Sequence, residues 1–370
     1  MKPVVPSLLW SMLLAAFFAC SPDKTGEPDP TPATTSPTPY ELVRPSIFPR
    51  VESMPVDNPL TVEGIELGRH LFYEKKLSGN NTMSCGSCHI QEKAFTDGKA
   101  VAIGELGLPH TRNTMSIANL AWFNRFNWDG SAFNLEEQAT GPIENHLEMN
   151  QNLDEAVHEL QATPLYPPMF QKAFGSATIT TDNILKALAQ FQRTLVSANS
   201  RYDQHMMGTK KLSSYEEEGM DLFMTHPEPS ISLRGGNCGD CHGGTLISMK
   251  TFHNNGLDVT FADKGLGAVT GNPRHDGMFK APSLRNIALT APYMHDGRFN
   301  TLEEVLDHYN DHMRYDSPGI DPLIVEASNI VDGKTLMIME EEKKKIIAFL
   351  HALTDSSFIT EERFSDPFKK

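Results

Sequence analysis

Cys85-Gly86-Ser87-Cys88-His89 decides how this chain is read. Two cysteines three apart, followed at once by a histidine, form the attachment site of a c-type haem. The spacing has a chemical reason. The two thiols add to the vinyl groups on one edge of the porphyrin, which leaves the next residue, His89, under the iron as proximal ligand. The pattern returns at Cys238-Gly239-Asp240-Cys241-His242. A zinc knuckle is the alternative for a single copy. Two copies in an exported chain, with no cysteine left over for zinc or disulfides, read as two covalent haems with His89 and His242 on the irons.

The surroundings of the two motifs repeat as well. Gly68 precedes Leu71-Phe72, and Gly219 precedes Leu222-Phe223 at the same interval; the first cysteine follows 13 and 15 residues after the phenylalanine. A helix carrying Leu-Phe onto the porphyrin, a loop and then the motif fits both. The fold expected is mainly α, with two cytochrome-c-like haem domains in tandem, an N-terminal one over 45–205 and a C-terminal one over 206–370.

The 370 residues suffice for two or three domains, each with its own core. Residues 1–20 read as an export signal. Lys2 is basic and Val4 to Ala19 mostly apolar, but Pro6, Ser7 and Ser11 break the run and make it a poor membrane span. The fifth cysteine, Cys20, follows Phe17-Phe18-Ala19 as in a lipoprotein cleavage site. Residues 21–44 then form a linker, with six prolines between Ser21 and Pro39. The expected location is periplasmic, with membrane contact only through a lipid on Cys20. Export agrees with c-type haem attachment, which in bacteria takes place outside the cytoplasm. The formal net charge of −15 and the lack of a basic stripe exclude a nucleic-acid partner. An acidic surface can steer a basic redox partner.

Helices are placed by apolar spacing and caps. Asn152 caps Leu153 to Gln161, and Thr181-Asp182 opens Asn183 to Ser197. Thr301 and Glu304 form a capping box for Leu302 to Tyr309. Glu340 to Leu353 is the strongest helix. Leu77 to Met83 and Leu257 to Arg274 read as loops.

With both motifs placed, the intervening residues resemble the bacterial di-haem cytochrome c peroxidases and their relative MauG. The likeness is carried in order by Gly68-Arg69-His70-Leu71-Phe72, Ala94 to Gly98, Arg112-Asn113-Thr114, Trp128-Asp129-Gly130 and Leu135 to Ala139. It continues through Gly141-Pro142-Ile143, Glu148-Met149, Ala281 to Asn286 and Leu289 to Gly297. The resemblance implies that the His89 site meets hydrogen peroxide and the His242 site takes electrons from a small cytochrome or copper protein. It makes Glu148 the acid/base, Gln138 the orienting amide and Trp128 the indole between the haems. It also implies one calcium ion on oxygens of Asn113, Thr290 and Pro292.

Glu105 stands where classical members carry a histidine that caps the first iron. That iron is therefore expected to be open, while His110 is either a substitute cap or a loop histidine. For the second iron the family position is Tyr309, with Met294 and Met313 as alternatives. Peroxide reduction is the leading function. The alternative is a MauG-like oxidation of side chains on a partner protein through high-valent iron; against it stands Gly236, where MauG has a surface tryptophan. A third possibility, a plain electron carrier, would want both irons capped.

Overall fold

Helix Val62–Tyr73 begins where the Thr61 side chain accepts the Gly64 N–H at 3.0 Å. It buries Leu67, Leu71 and Phe72 and crosses helix Thr181–Arg193 at Gly68. A Cβ on Gly68 would overlap the Ala187 carbonyl oxygen, so only glycine permits this crossing. One turn on, Phe72 and Phe191 meet at 5.3 Å between ring centroids and 59°. The second half repeats this. Helix Ser214–Met224, opened by a Ser213/Glu216 capping box, crosses helix Glu340–Ala352 at Gly219. There a Cβ would overlap the Lys345 carbonyl, and Phe223 and Phe349 meet at 5.3 Å and 58°. The sequence repeat is thus a repeat of helix-crossing geometry.

The structure, a computed structural model, describes residues 36–51, 54–331 and 335–369, together with Met1, Pro3 and Val4. Ser36–Lys370 is one compact unit; Met1–Thr35 form another, of which little is described. Cys20 lies outside the described residues. The end of the proline-rich stretch is bonded to the body: Thr38 N–H donates to Glu63 at 2.7 Å and Tyr40 N–H to Leu60 O at 2.9 Å.

The body is mainly helical. Each helix pair builds a core, the first around Leu67, Phe72, Phe170 and Phe191, the second around Phe223, Leu302, Ile346 and Phe349. The short helix Ser356–Thr360 returns to the first core, where Phe358 meets Phe95 at 5.3 Å. Between the pairs lies a fully buried ion pair in which Arg285 grips Asp203 through two bonds of 2.7 and 2.8 Å. A two-stranded antiparallel ribbon pairs Phe252–His253 with Phe279–Lys280. Among the described residues no helix is long and apolar enough to cross a membrane.

Three expected elements differ. The helix placed at Asn183 to Ser197 spans Thr181–Arg193, capped by Thr180. It stops because Asn119 takes both backbone groups of Ser197 into extended pairing. Helix Leu302–Asp307 has its capping box, but Tyr309 falls in a π-turn, His308–His312. Within the stretch read as a loop, Leu266–Thr270 makes a short helix; Gly267, at its start, packs against Asp276, where a Cβ would clash.

Candidate functional site

Both motif histidines are prepared in the same way. His89 Nδ1 lies 2.8 Å from the Phe95 carbonyl, and His242 Nδ1 lies 3.1 Å from the Pro282 carbonyl. A carbonyl can only accept, so each ring carries its proton on Nδ1 and keeps a lone pair on Nε2. Burial pushes both imidazoles down, His242 to about 4, so both rings are neutral and could each offer Nε2 to a metal. The four motif cysteines are unpaired. Cys85 and Cys238 are buried deeply enough to push each thiol up to about 12.

A large cavity opens beside the second motif, enclosing about 1820 Å³ of non-protein space, part of it open to solvent. Cys238, Cys241 and His242 line it, and so do Tyr309, Met294 and Met313. Asn255 touches two of the last three. Its amide donates to the Tyr309 hydroxyl at 3.1 Å and lies 3.6 Å from Met294 Sδ. Nothing in the sequence had singled out Asn255.

Asn113 lines the same cavity as Thr290 and Pro292, which lie more than 170 residues on in the chain. Asn113 Nδ2 donates to the carbonyls of Lys99 and Ala100 at 2.9 and 3.2 Å, so the atom of its amide that could bind a cation is Oδ1. This all-oxygen donor set fits calcium. Trp128 also lines the cavity. Its indole N–H donates to Asn113 O at 2.9 Å, and its own carbonyl accepts from Lys280 N–H at 2.8 Å. Arg112 connects the neighbouring loops, bonding Asp129 at 2.6 Å and Asp263 at 2.6 and 2.9 Å.

At the first motif, Glu148 is close enough for its charge to act on Cys85, Cys88 and His89. Its Oε1 accepts from Asn145 Nδ2 at 3.0 Å and faces His110 Nε2 at 3.2 Å. Gln138 ends the short helix Leu135–Gln138 and donates to Asn127, next to Trp128, at 3.2 Å. The Glu105 backbone N–H bonds Glu148 O at 2.7 Å, and its buried Oε2 lacks a protein partner. Asp97 Oδ2 is a second buried oxygen without a partner, beside Cys88 and His89. Orphaned buried polar atoms are rare in a finished site. With the neutral imidazoles and free thiols, they fit a site built to receive a cofactor.

A family model described as di-haem cytochrome c peroxidase matches residues 62–211. The methylamine utilization protein MauG of Methylorubrum extorquens is 33% identical over 360 residues, covering 95% of each chain. The chain belongs to the di-haem cytochrome c peroxidase and MauG family. Cytochrome c551 peroxidase of Nitrosomonas europaea is 36% identical over 260 residues, 67% of this chain and 73% of that one. A solved MauG-like protein associated with microbial copper homeostasis is 37% identical, with a TM-score of 0.78, covering 89% of this chain and all of the other. Membership makes the protein an oxidoreductase and implies two c-type haems. The family holds both peroxidases and MauG-like oxidases.

Sequence reasoning about this di-haem protein left out Asn255, Asn145 and Arg112 as individual contributors. Asn145 carried a faint signal, three residues before Glu148. The others act across more than 50 residues of chain, which no local pattern reveals.

Proposed function

We propose that the protein is an exported di-haem peroxidase that reduces hydrogen peroxide to water with electrons from a small cytochrome or copper protein. The observation that carries this reading is Glu148, a carboxylate held by two hydrogen-bonding neighbours where its charge acts on His89. A pure electron carrier has no use for an acid/base there.

A haem on Cys85, Cys88 and His89 would supply the redox-active iron. The chain's own residues handle the protons. Glu148 takes a proton from one peroxide oxygen and returns it to the other, so that water rather than hydroxide departs. Asn145 fixes the carboxylate, and the Gln138 amide orients the peroxide. Trp128 provides an intermediate station for electrons arriving from the second site, whose haem would be held by Cys238, Cys241 and His242 with Tyr309 as distal ligand. Calcium on Asn113, Thr290 and Pro292 would stiffen the loop that accepts the Trp128 hydrogen bond. Cytochrome-c-like domains over 45–205 and 206–370, a periplasmic location and a lipid on Cys20 complete the proposal.

The second reading, a MauG-like oxidation of a partner protein, is favoured by Tyr309 in the cavity beside the second motif, since an anionic phenolate disfavours ferrous iron. Gly236 speaks against it. This residue is buried against Leu222 O and Ile346 and presents no surface side chain for electron entry.

Mixing the haem-loaded protein with peroxide and a reduced small cytochrome or copper protein tests the choice. Sustained donor oxidation at two electrons per peroxide is expected. Reaction with peroxide but no turnover with any such donor would favour the second reading.

A further inference from the structure

Residues 102–110 form a hairpin clamped onto the segment that carries Glu148. Ile103 and Pro109 are bridged, Gly104 N–H donates to Leu108 O at 2.9 Å, and His110 N–H donates to Ala102 O at 2.8 Å. Gly104 packs so closely on Leu147 that a Cβ would overlap its carbonyl, and Glu105 N–H holds Glu148 O. The base of the hairpin then sets His110 against the Glu148 carboxylate.

The other ring nitrogen is in an unusual position. His110 Nδ1 lies 3.1 Å from the Arg112 N–H and 3.0 Å from the Arg112 carbonyl. When Nδ1 is bare it accepts from that N–H; when protonated it donates to that carbonyl. The carbonyl can hold Nδ1–H in the charged ring and in the neutral ring that has lost its Nε2 proton, so that loss strands no group at Nδ1. The His110 side chain is 23% exposed and that of Glu148 30%, so the pair reaches solvent.

We infer that His110 is a proton relay that connects solvent to Glu148. The inference rests on the reading of Glu148 as the acid/base. Peroxide reduction consumes protons: H2O2 + 2 e⁻ + 2 H⁺ gives two waters, the electrons coming from the reduced redox partner. Glu148 alone only moves a proton already on the peroxide. In the relay, doubly protonated His110 passes its Nε2 proton to the Glu148 carboxylate while Nδ1–H stays on Arg112 O. The bare Nε2 then takes a new proton from solvent.

The groups facing His110 favour the charged ring. Its bond to Glu148 raises its affinity for protons above that of ordinary histidine, against burial and the Arg112 guanidinium, which itself lies on Asp129 and Asp263. As pH rises through that raised value the relay empties and turnover falls.

The test uses the haem-loaded protein and its His110→Gln and Glu148→Gln variants. Donor-driven turnover is measured against pH. Proton uptake after one peroxide pulse is followed with an indicator dye in weak buffer. Wild type should show an alkaline loss of turnover, with proton uptake as fast as the haem colour change. His110→Gln should keep its haems and ferric spectrum, lose turnover roughly 10²-fold, lose the alkaline limb, and take up protons more slowly than its colour changes. The relay is overturned by a wild type without that limb, by a His110→Gln profile that superimposes on wild type, or by a variant whose loss comes with an altered ferric spectrum. Near-normal turnover in Glu148→Gln would instead show that the acid/base reading has failed.

Discussion

The indole N–H of Trp128 donates to the backbone carbonyl of Asn113 at 2.9 Å. Asn113 is itself anchored, its N–H on His295 O at 2.7 Å and its side-chain amide on Lys99 O at 2.9 Å. Trp128 therefore sits on a backbone segment fixed from both halves of the chain. If it is the electron station between the sites, Trp128→Phe should slow donor-driven turnover while leaving the initial reaction with peroxide unchanged. Stopped-flow mixing with peroxide, compared with steady-state donor oxidation, separates the two. Equal rates for variant and wild type in both would remove Trp128 from the path.

The matched glycine crossings make a prediction about stability. Gly68→Ala and Gly219→Ala each force a methyl group into a carbonyl of the facing helix. Overpacking of this kind costs about 1–3 kcal/mol. Denaturant unfolding of the haem-loaded protein should show a loss of that size for each variant, whereas Gly141→Ala, where a Cβ meets open space, should not. A neutral Gly68→Ala would mean that the helices part easily.

Tyr309 is expected to be the distal ligand at the second motif. Burial pushes its phenol up, although the Asn255 amide donates to its oxygen and partly offsets this. Binding to iron would be needed to hold the phenolate at neutral pH. The ferric protein should then lack the weak near-infrared methionine–iron band, and Tyr309→Phe should alter the second-site resonance signal. A band present in wild type and abolished by Met294→Leu or Met313→Leu would reassign the ligand.

Much of this was legible in the residues. The two haems that family membership implies were announced by cysteine spacing, which the chemistry of thiol addition fixes. The Gly-x-x-Leu-Phe repeat was visible as a pattern, but its cause, the carbonyls of Ala187 and Lys345, lies on partner helices more than 100 residues away. Asn152 announced its helix because capping is local. Tyr309 was placed by counting, yet the π-turn that sets its direction depends on tertiary packing. His110 stayed ambiguous for the same reason. Its partner is 38 residues on, and only the docked hairpin brings the two together. Asn113, Thr290 and Pro292 came from resemblance, since carbonyl and amide oxygens leave no signature of their own.

The most direct test of the central claim is peroxide turnover by Glu148→Gln beside wild type, with haem content checked by staining after denaturing electrophoresis. Glutamine keeps the size and the Asn145 neighbour but cannot shuttle a proton. The account predicts both haems retained and turnover lowered on the order of 10²–10⁴-fold. Full haem content with near-normal turnover would contradict it.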